Sequence, residues 1–205
     1  EVYRRLFDLF GPQHWWPAET PFEVVVGAIL TQNTNWKNVE RAIENLKRED
    51  LLDPHKLRRL SLSELAELIR PAGYYNIKAK RLKNLLVLLC DSFGGDLERV
   101  FSLETQTLRE TLCAVKGIGP ETADSIILYG AKRPIFVVDS YTHRVFSRHG
   151  LIPEESTYEE IQELFHQNLP WEERLFNEYH ALIVRLSKSY CLKRPKCKGC
   201  PLEGI

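Results

Sequence analysis

The segment Leu112-Cys-Ala-Val-Lys-Gly-Ile-Gly-Pro-Glu-Thr-Ala-Asp-Ser-Ile-Ile-Leu128 carries the strongest structural signal in this 205-residue chain. One helix is predicted to end near Val115. A second helix is predicted to begin near Pro120, whose fixed φ suits the first position of a helix. Between them, glycines on both sides of Ile118 favour a tight turn that lets the backbone approach another group closely. The pattern therefore predicts two helices joined by a short hairpin.

This hairpin has the features of an anion site as well as those of a simple connection. Backbone N–H groups at a helix N-terminus favour an anion, and Lys116 adds a positive charge beside them. Ile118 is expected to insert into the helical lobe. A plain hairpin between two helices uses glycine for the same geometric reason, so the turn alone leaves both interpretations open.

The rest of the chain reads as nearly all helix. Helix-start signals, each a Ser or Thr followed three residues later by Glu, occur at Thr20–Glu23, Ser61–Glu64 and Ser156–Glu159. The one plausible extended piece is 134–138, which could equally be a buried loop. The expected fold class is all-α.

Composition excludes some classes of protein and leaves others open. The 28 basic and 28 acidic residues give no net charge, so any nucleic-acid contact must come from local basic patches. Two basic runs, at 78–83 and 185–198, could be such patches or ordinary solvated helix faces. No apolar run approaches the roughly 18 residues that span a membrane, and no signal peptide is evident. The sequence begins at Glu1 without any methionine, as expected of a trimmed or processed chain.

Several ordered motifs together resemble one family. The hairpin, a Pro134 loop and Val138-Asp139 are similar to the corresponding segment of the endonuclease III superfamily of helix-hairpin-helix (HhH-GPD) DNA glycosylases. The segments 22–33 (FEVVVGAILTQN) and 72–81 (AGYYNIKAKR) resemble its early helix and its Gly-x-Tyr-Asn-x-Lys-Ala motif. The terminal cysteines look like its iron–sulfur loop, so the resemblance covers almost the whole chain.

The resemblance implies two helical lobes with a DNA-binding cleft between them. The expected lobes are 22–131, which carries the hairpin, and 1–21 with 132–205. The expected partner is double-stranded DNA with a damaged base, which is flipped into a pocket. Gln32 would enter the vacated space, or else only hydrogen-bond at a helix end. The other implied DNA contacts are Lys116, Gly117, Ile118, Gly119 and Thr122. A monomer is expected, cytoplasmic and nucleoid-associated in a prokaryote.

Asp139 matches the catalytic aspartate of the superfamily. A carboxylate there would stabilise the cationic sugar formed during base excision, or orient or deprotonate water. Aspartate is also a good N-cap, and both roles are compatible. Bifunctional members carry a lysine that forms a Schiff base at the position occupied here by Glu121. A carboxylate cannot form one, so a monofunctional glycosylase is predicted.

The lesion is expected to be an alkylated purine. The Gly-Ile-Gly-x-Glu-x-Ala-Asp variant and Ser140-Tyr141 resemble the 3-methyladenine branch of the superfamily. An aromatic box stacks well on an electron-poor base, with a cation–π component if the base is charged. Packing in the core is the alternative role for the tryptophans. The predicted box comprises Trp15, Trp16, Pro17, Trp36 and Glu121.

The sequence is also compatible with other functions. A mismatch thymine or uracil glycosylase of the same fold competes, because alkyl-purine members need not carry the cysteine cluster. A bifunctional glycosylase/AP lyase and a non-catalytic DNA-binding module are further alternatives.

Cys191, Cys197 and Cys200 crowd into the last 15 residues. The resemblance implies that they hold a [4Fe–4S] cluster, which needs four cysteines. The fourth cysteine of the family pattern would fall at position 206 and is not in this chain. Zinc is a weaker alternative that would also require a fourth ligand.

Overall fold

The computed structural model describes residues 1–205 and contains helices and loops but no β-strand. The all-α prediction is therefore confirmed. The α-helices are α1 (Val2–Phe10), α2 (Pro21–Leu30), α3 (Trp36–Arg48), α4 (Pro54–Arg59), α5 (Leu62–Leu68), α6 (Tyr75–Val87), α7 (Leu97–Phe101), α8 (Thr105–Cys113), α9 (Pro120–Ser125), α10 (Ser140–Arg148), α11 (Tyr158–Asn168) and α12 (Glu173–Ser189). π-helical turns Leu88–Ser92 and Ile126–Gly130 extend α6 and α9. None of these helices combines the length and the apolar character needed to cross a membrane.

The chain divides into two compact units, one formed by residues 18–132 and the other by 1–17 with 133–205. In the first unit, α2 is the central helix, because every residue from Phe22 to Leu30 is buried. It packs against α3, α6, α9 and the turn Ile126–Gly130. Helix α2 thereby supports the hairpin that joins α8 to α9.

The helix starts agree with the predicted signals except in two details. Thr20 accepts a hydrogen bond from Glu23 N, but the Glu23 carboxylate accepts one from Glu19 N and pairs with Lys47 at 2.9 Å. Helix α5 has the full reciprocal capping box at Ser61.

The start predicted at Ser156 is wrong by one residue. The N-cap is Thr157, with Glu160 completing its capping box. Ser156 with Glu159 fits the same sequence pattern, so spacing alone could not choose between the two registers.

In the second unit, aromatic rings form the core around α12. The ring centroids of Phe136 and Phe165 stack 3.7 Å apart, and Phe176 and Tyr179 of α12 pack edge-on against Phe136. Ile135–Val138 is buried without strand pairing, so it is the buried loop of the two alternatives. This loop leads directly into Asp139.

Candidate active site

Asp139 lies at the N-cap of α10, with its side chain 12% exposed. Its Oδ1 accepts hydrogen bonds from Thr142 N at 2.7 Å and from Thr142 Oγ1 at 2.9 Å. Its Oδ2 lies 3.3 Å from Nε2 of His180, a buried residue of α12. The predicted capping role is confirmed, and both oxygens already contact protein donors.

The surroundings of Asp139 keep its carboxyl group ionised. Burial alone would raise its pKa, but the neighbouring His180 and the hydrogen bonds from Thr142 outweigh this effect and hold the pKa below its usual range. A buried carboxylate in such a setting is a fixed negative charge at neutral pH.

In the other unit, side chains from α6 and from the turn after α2 secure the hairpin turn. Gln32 Nε2 donates to Thr122 Oγ1 at 2.9 Å and to Gly117 O at 3.3 Å. Arg81 donates to Gln32 Oε1, and Asn84 Nδ2 donates to Lys116 O at 2.8 Å. The Gln32 amide is therefore bound to the hairpin rather than free.

Gly117 is the position at which the turn requires glycine. Its φ is +102°, and a Cβ there would lie 2.4 Å from Arg81 Cγ. Gly119 has a φ of −100°, and a Cβ at this position would meet open space. Of the other predicted DNA contacts, Lys116 is exposed, whereas the side chains of Ile118 and Thr122 are buried. Ile118 inserts into the unit as expected.

A buried ion pair joins the two helices of the hairpin. Arg109 of α8 binds Asp124 of α9 through two contacts, Nε to Oδ1 at 2.7 Å and Nη2 to Oδ2 at 3.2 Å. Asp124 is fully buried. A guanidinium that binds a carboxylate through two parallel hydrogen bonds fixes the relative orientation of the two helices.

The basic run at 78–83 is mostly not a surface patch. Lys78 is 1% exposed and donates to Leu30 O and Ala72 O at 2.8 and 2.7 Å. Burial lowers its pKa to about 8. Lys83 donates to the C-terminal carbonyls of α4 and its flank at 57, 58 and 60. Two of the four cations thus bind backbone oxygen, and Arg81 binds Gln32.

The predicted aromatic box is distributed over both units. Trp15 and Trp16 are half-buried and Pro17 is exposed in the unit that contains Asp139. The Trp15 indole N–H is buried and has no hydrogen-bond acceptor. Trp36 and Glu121 belong to the other unit, where Trp36 Nε1 donates to Glu40 at 2.8 Å and Glu121 is exposed in the first turn of α9.

A lysine lies over the faces of two aromatic rings in the unit that contains Asp139. The Lys188 Nζ atom is 5.9 Å from the ring centroid of Trp15 and 6.0 Å from that of Tyr141. Arg144 lies 5.1 Å from the Tyr141 centroid. These rings already face cations of the protein, which the sequence pattern did not predict.

The three C-terminal cysteines line one cavity of about 280 Å³. Burial raises the pKa of the Cys200 thiol, and the neighbouring Cys191 and Cys197 raise it further. No three His, Cys, Asp or Glu side chains in residues 1–205 converge closely enough to hold a single metal ion. A single ion needs ligands that meet at one point, whereas a cluster spreads its cysteines around a larger body. The cavity therefore fits three ligands of a cluster better than it fits zinc, and no fourth cysteine lines it.

Sequence reasoning gave no role in these sites to Asn84, Thr142 or His180, and it placed Arg81 only in a basic run and a family motif, without its contact to Gln32. Arg81 and Asn84 lie three residues apart on α6, at the end of that motif and just after it, and share one helix face. Thr142 is the N3 position of a helix whose cap was predicted. His180 gives no local signal, because a single histidine on a buried helix face is usually part of the core.

Comparison with known proteins identifies the family. A profile described as "HhH-GPD superfamily base excision DNA repair protein" matches residues 26–170. The chain belongs to the HhH-GPD superfamily. A relative within it, from Methanocaldococcus jannaschii, is 52% identical over 204 residues, covering 99% of this chain and 93% of its own. Its name assigns it provisionally to the DNA repair glycosylases.

Solved structures of DNA glycosylases are similar to this chain in fold. The 3-methyladenine DNA glycosylase MagIII of H. pylori, bound to 1,N6-ethenoadenine, is 32% identical with a TM-score of 0.77, covering 91% of this chain and 95% of that one. Endonuclease III in a non-covalent DNA complex is 22% identical with a TM-score of 0.84, covering 98% and 90%, and shows the shared fold. This chain is thus an HhH-GPD DNA glycosylase of the base excision repair type.

Proposed function

We propose that this protein hydrolyses the N-glycosidic bond of a flipped-out alkylated purine, such as 3-methyladenine, and leaves an intact abasic strand. The proposal rests mainly on the buried, ionised carboxylate of Asp139. It also uses Glu121, which occupies the position where bifunctional members of the superfamily carry a lysine. The proposal combines this charge with the sequence identity shared with the 3-methyladenine glycosylase MagIII.

Asp139 would act mainly through its charge. Departure of the base leaves a sugar with oxocarbenium character, and a carboxylate held in a dry site stabilises that positive charge. Because Thr142 and His180 already contact both oxygens, a proton taken from water would have to displace one of these partners. Electrostatic stabilisation with water as the nucleophile is therefore favoured over full proton abstraction.

Glu121 argues against a covalent route. A Schiff base needs an unprotonated amine at the sugar, and the exposed Glu121 carboxylate supplies none. The buried amine of Lys78 is directed at two backbone carbonyls within its own unit. The product expected from these residues is an abasic site without strand cleavage.

The hairpin is proposed to bind the phosphate backbone of double-stranded DNA. Its exposed elements are Lys116, Gly117 and Gly119, which together offer a charge and closely approachable backbone N–H groups. The side chains of Ile118 and Thr122 hold the turn from inside. Gln32 would have to leave Thr122 and Arg81 to enter the duplex.

The base pocket is proposed to involve Trp15, Trp16 and Pro17. The unpartnered indole N–H of Trp15 could donate to a ring nitrogen or carbonyl of the base. Lys188 lies over the faces of Trp15 and Tyr141, so a cationic alkylated purine such as 3-methyladenine would have to displace its ammonium group, whereas a neutral base would not. That contact also favours a second candidate, removal of mismatched thymine or uracil. Lesion duplexes containing 1,N6-ethenoadenine, N-methylated purines or a G·T mismatch distinguish these substrates.

We also propose that Cys191, Cys197 and Cys200 supply three ligands of a [4Fe–4S] cluster. Such a cluster would order the basic loop 192–199 for contact with phosphate. Arg148 Nη1 donates to Cys191 Sγ at 3.4 Å, which holds this cysteine at the edge of the loop. Iron and sulfide analysis of the purified protein tests this proposal, and protein that folds and binds DNA without iron contradicts it.

Substitution of Asp139 by asparagine tests the proposed function. Asparagine keeps the N-cap hydrogen bond, so the fold and DNA binding are expected to persist. The loss of charge is expected to lower base release from N-methylated duplex DNA by at least about a hundredfold. Asp53→Asn is the matched control, since Asp53 caps α4 in the same way through Lys56 N. Wild-type release by Asp139→Asn would refute the catalytic role.

A further inference from the structure

His180 and Asp139 form a buried pair that the sequence pattern does not predict. Their side chains are 7% and 12% exposed, and His180 Nε2 lies 3.3 Å from Asp139 Oδ2. Charge-assisted N–H···O hydrogen bonds usually measure about 2.7–2.9 Å. The contact is longer than such a bond, and its strength depends on whether the imidazole carries a proton.

Asp139 is an ionised group in contact with His180. The elements packed against α12 carry other titratable groups, including His166 of α11, which stacks on Phe176. Helix α12 packs against α1 and α10. On α10, His143 contacts Glu154 O, and both Arg144 and Arg148 donate to carbonyls of 191–193. On α1, Arg5 pairs with Glu1, while Arg4 and Asp8 are exposed.

The five charged side chains of α12 itself have contacts with groups other than His180, or are exposed. Two of them are carboxylates that accept hydrogen bonds: Glu178 from Gln13 N and Glu173 from Asn177. Two are cations that lie over aromatic rings: Arg185 over Phe10 and Lys188 over Trp15. The fifth, Arg174, is exposed. The protonation of His180 and the charge of Asp139 are therefore coupled across their 3.3 Å contact.

We infer that His180 is a positioning residue that supports excision as a neutral imidazole and suppresses excision when it is protonated. The inference rests on the proposed function of Asp139. A neutral imidazole with its proton on Nε2 orients Oδ2 and leaves the pair with one net negative charge. An imidazolium would cancel that charge and add a positive charge beside a sugar that is itself becoming cationic.

This arrangement assigns the acidic limb of the pH–rate profile to His180 rather than to Asp139. The pKa of Asp139 lies below its usual range, so its carboxylate persists at pH values where histidine gains a proton. As the pH falls, excision should decline while Asp139 is still ionised. Each pH unit below the midpoint should reduce the rate about tenfold, because one proton separates the active from the inactive form.

Single-turnover release from [3H]methyl-labelled DNA between pH 5 and 8 tests the inference, with saturating enzyme and spontaneous depurination subtracted at each pH. Wild type should show the acidic limb. His180→Gln, which cannot be protonated, should lack it over this range. His143→Gln on α10 is the matched control and should keep the wild-type limb. An acidic limb that is unchanged in His180→Gln overturns the inference.

Histidine NMR titration provides a second test that needs neither substrate nor a stable His180 variant. A nearby carboxylate favours the charged imidazole, so Asp139→Asn should lower the pH at which the imidazole of His180 gains its proton. An unchanged midpoint overturns the proposed pairing. Absence of base release by wild type at every pH would instead refute the proposed function, and the NMR result would still decide whether the pair is coupled.

Discussion

At the scale of single residues, Asp139 combines a structural role with a proposed chemical one. Its N-cap role was predictable, because an aspartate directly preceded a helical pattern. Its contact with His180 was not, because 41 positions separate the two residues and only the packing of α12 on α10 brings them together. Local pattern thus located the carboxylate but not the histidine in contact with it.

Lys78 shows how burial changes the role of a basic residue. The sequence placed it in a run of cations that could have formed a phosphate patch. The structure instead places its ammonium against the last carbonyl of α2, directly before the Thr31-Gln32 turn, and against Ala72 O. A positive charge at a helix C-terminus is favourable, but its desolvation is costly.

This desolvation predicts a specific pH dependence of stability. The pKa of Lys78 is about 8 in the fold against an ordinary value of 10.5, so the unfolded chain binds more protons between these values. The free energy of unfolding should therefore rise with pH from about 8 to 10.5, by up to about 3 kcal/mol. Below pH 8 this contribution is constant.

Urea unfolding of wild type and Lys78→Met at pH 7.5, 9 and 10.5 measures this contribution. The difference between their unfolding free energies should change across the window. Lys80→Met is the matched control, because Lys80 is exposed on the same helix, and its pH dependence should parallel wild type. Parallel curves for Lys78→Met would contradict the effect.

At the scale of elements, the hairpin was predicted closely and its support was not. The end of α8, the glycine turn and the start of α9 at Pro120 agree with the sequence pattern. Gln32, Arg81 and Asn84 reach the turn from α6 and from the end of α2, which no local pattern in the hairpin specifies. The Arg109–Asp124 pair is likewise visible only once α8 and α9 are packed.

The two hairpin glycines should respond differently to alanine. Gly117→Ala adds a Cβ at positive φ and forces it against Arg81, so the protein should lose about 1–3 kcal/mol of stability. Gly119→Ala meets open space and should change stability by less than about 0.5 kcal/mol. Denaturant unfolding measures both. Equal losses would show that the turn does not depend on the φ of Gly117.

The affinity for duplex DNA that contains an abasic-site analogue should also differ between Gly117→Ala and Gly119→Ala. Gly117→Ala disturbs the turn that Gln32 and Arg81 hold, so its affinity should fall at least about tenfold. The affinity of Gly119→Ala reports how closely phosphate approaches that backbone position.

At the scale of the whole molecule, helix content and family were predictable from ordered motifs, because hydrophobic period, caps and glycine turns are local signals. The surroundings of the predicted base pocket were not. Lys188 reaches Trp15 and Tyr141 only because α12 carries it past both rings. The sequence pattern favoured a cation-binding aromatic box, whereas this contact favours a neutral base.

The proposed chemistry is hydrolysis of the N-glycosidic bond, and its products are a free base and an abasic strand. A charge-stabilised hydrolysis by Asp139, with Glu121 in place of a nucleophilic lysine, separates the base from the sugar without cutting the strand.

The most direct measurement is product analysis after incubation with N-methylated duplex DNA, with sodium borohydride present in a parallel reaction. We expect free methylated purine, strands that break only after alkali treatment, and no protein trapped on DNA by borohydride. Strand cleavage without alkali together with a borohydride-trapped complex, or no base release at all, would contradict this chemistry.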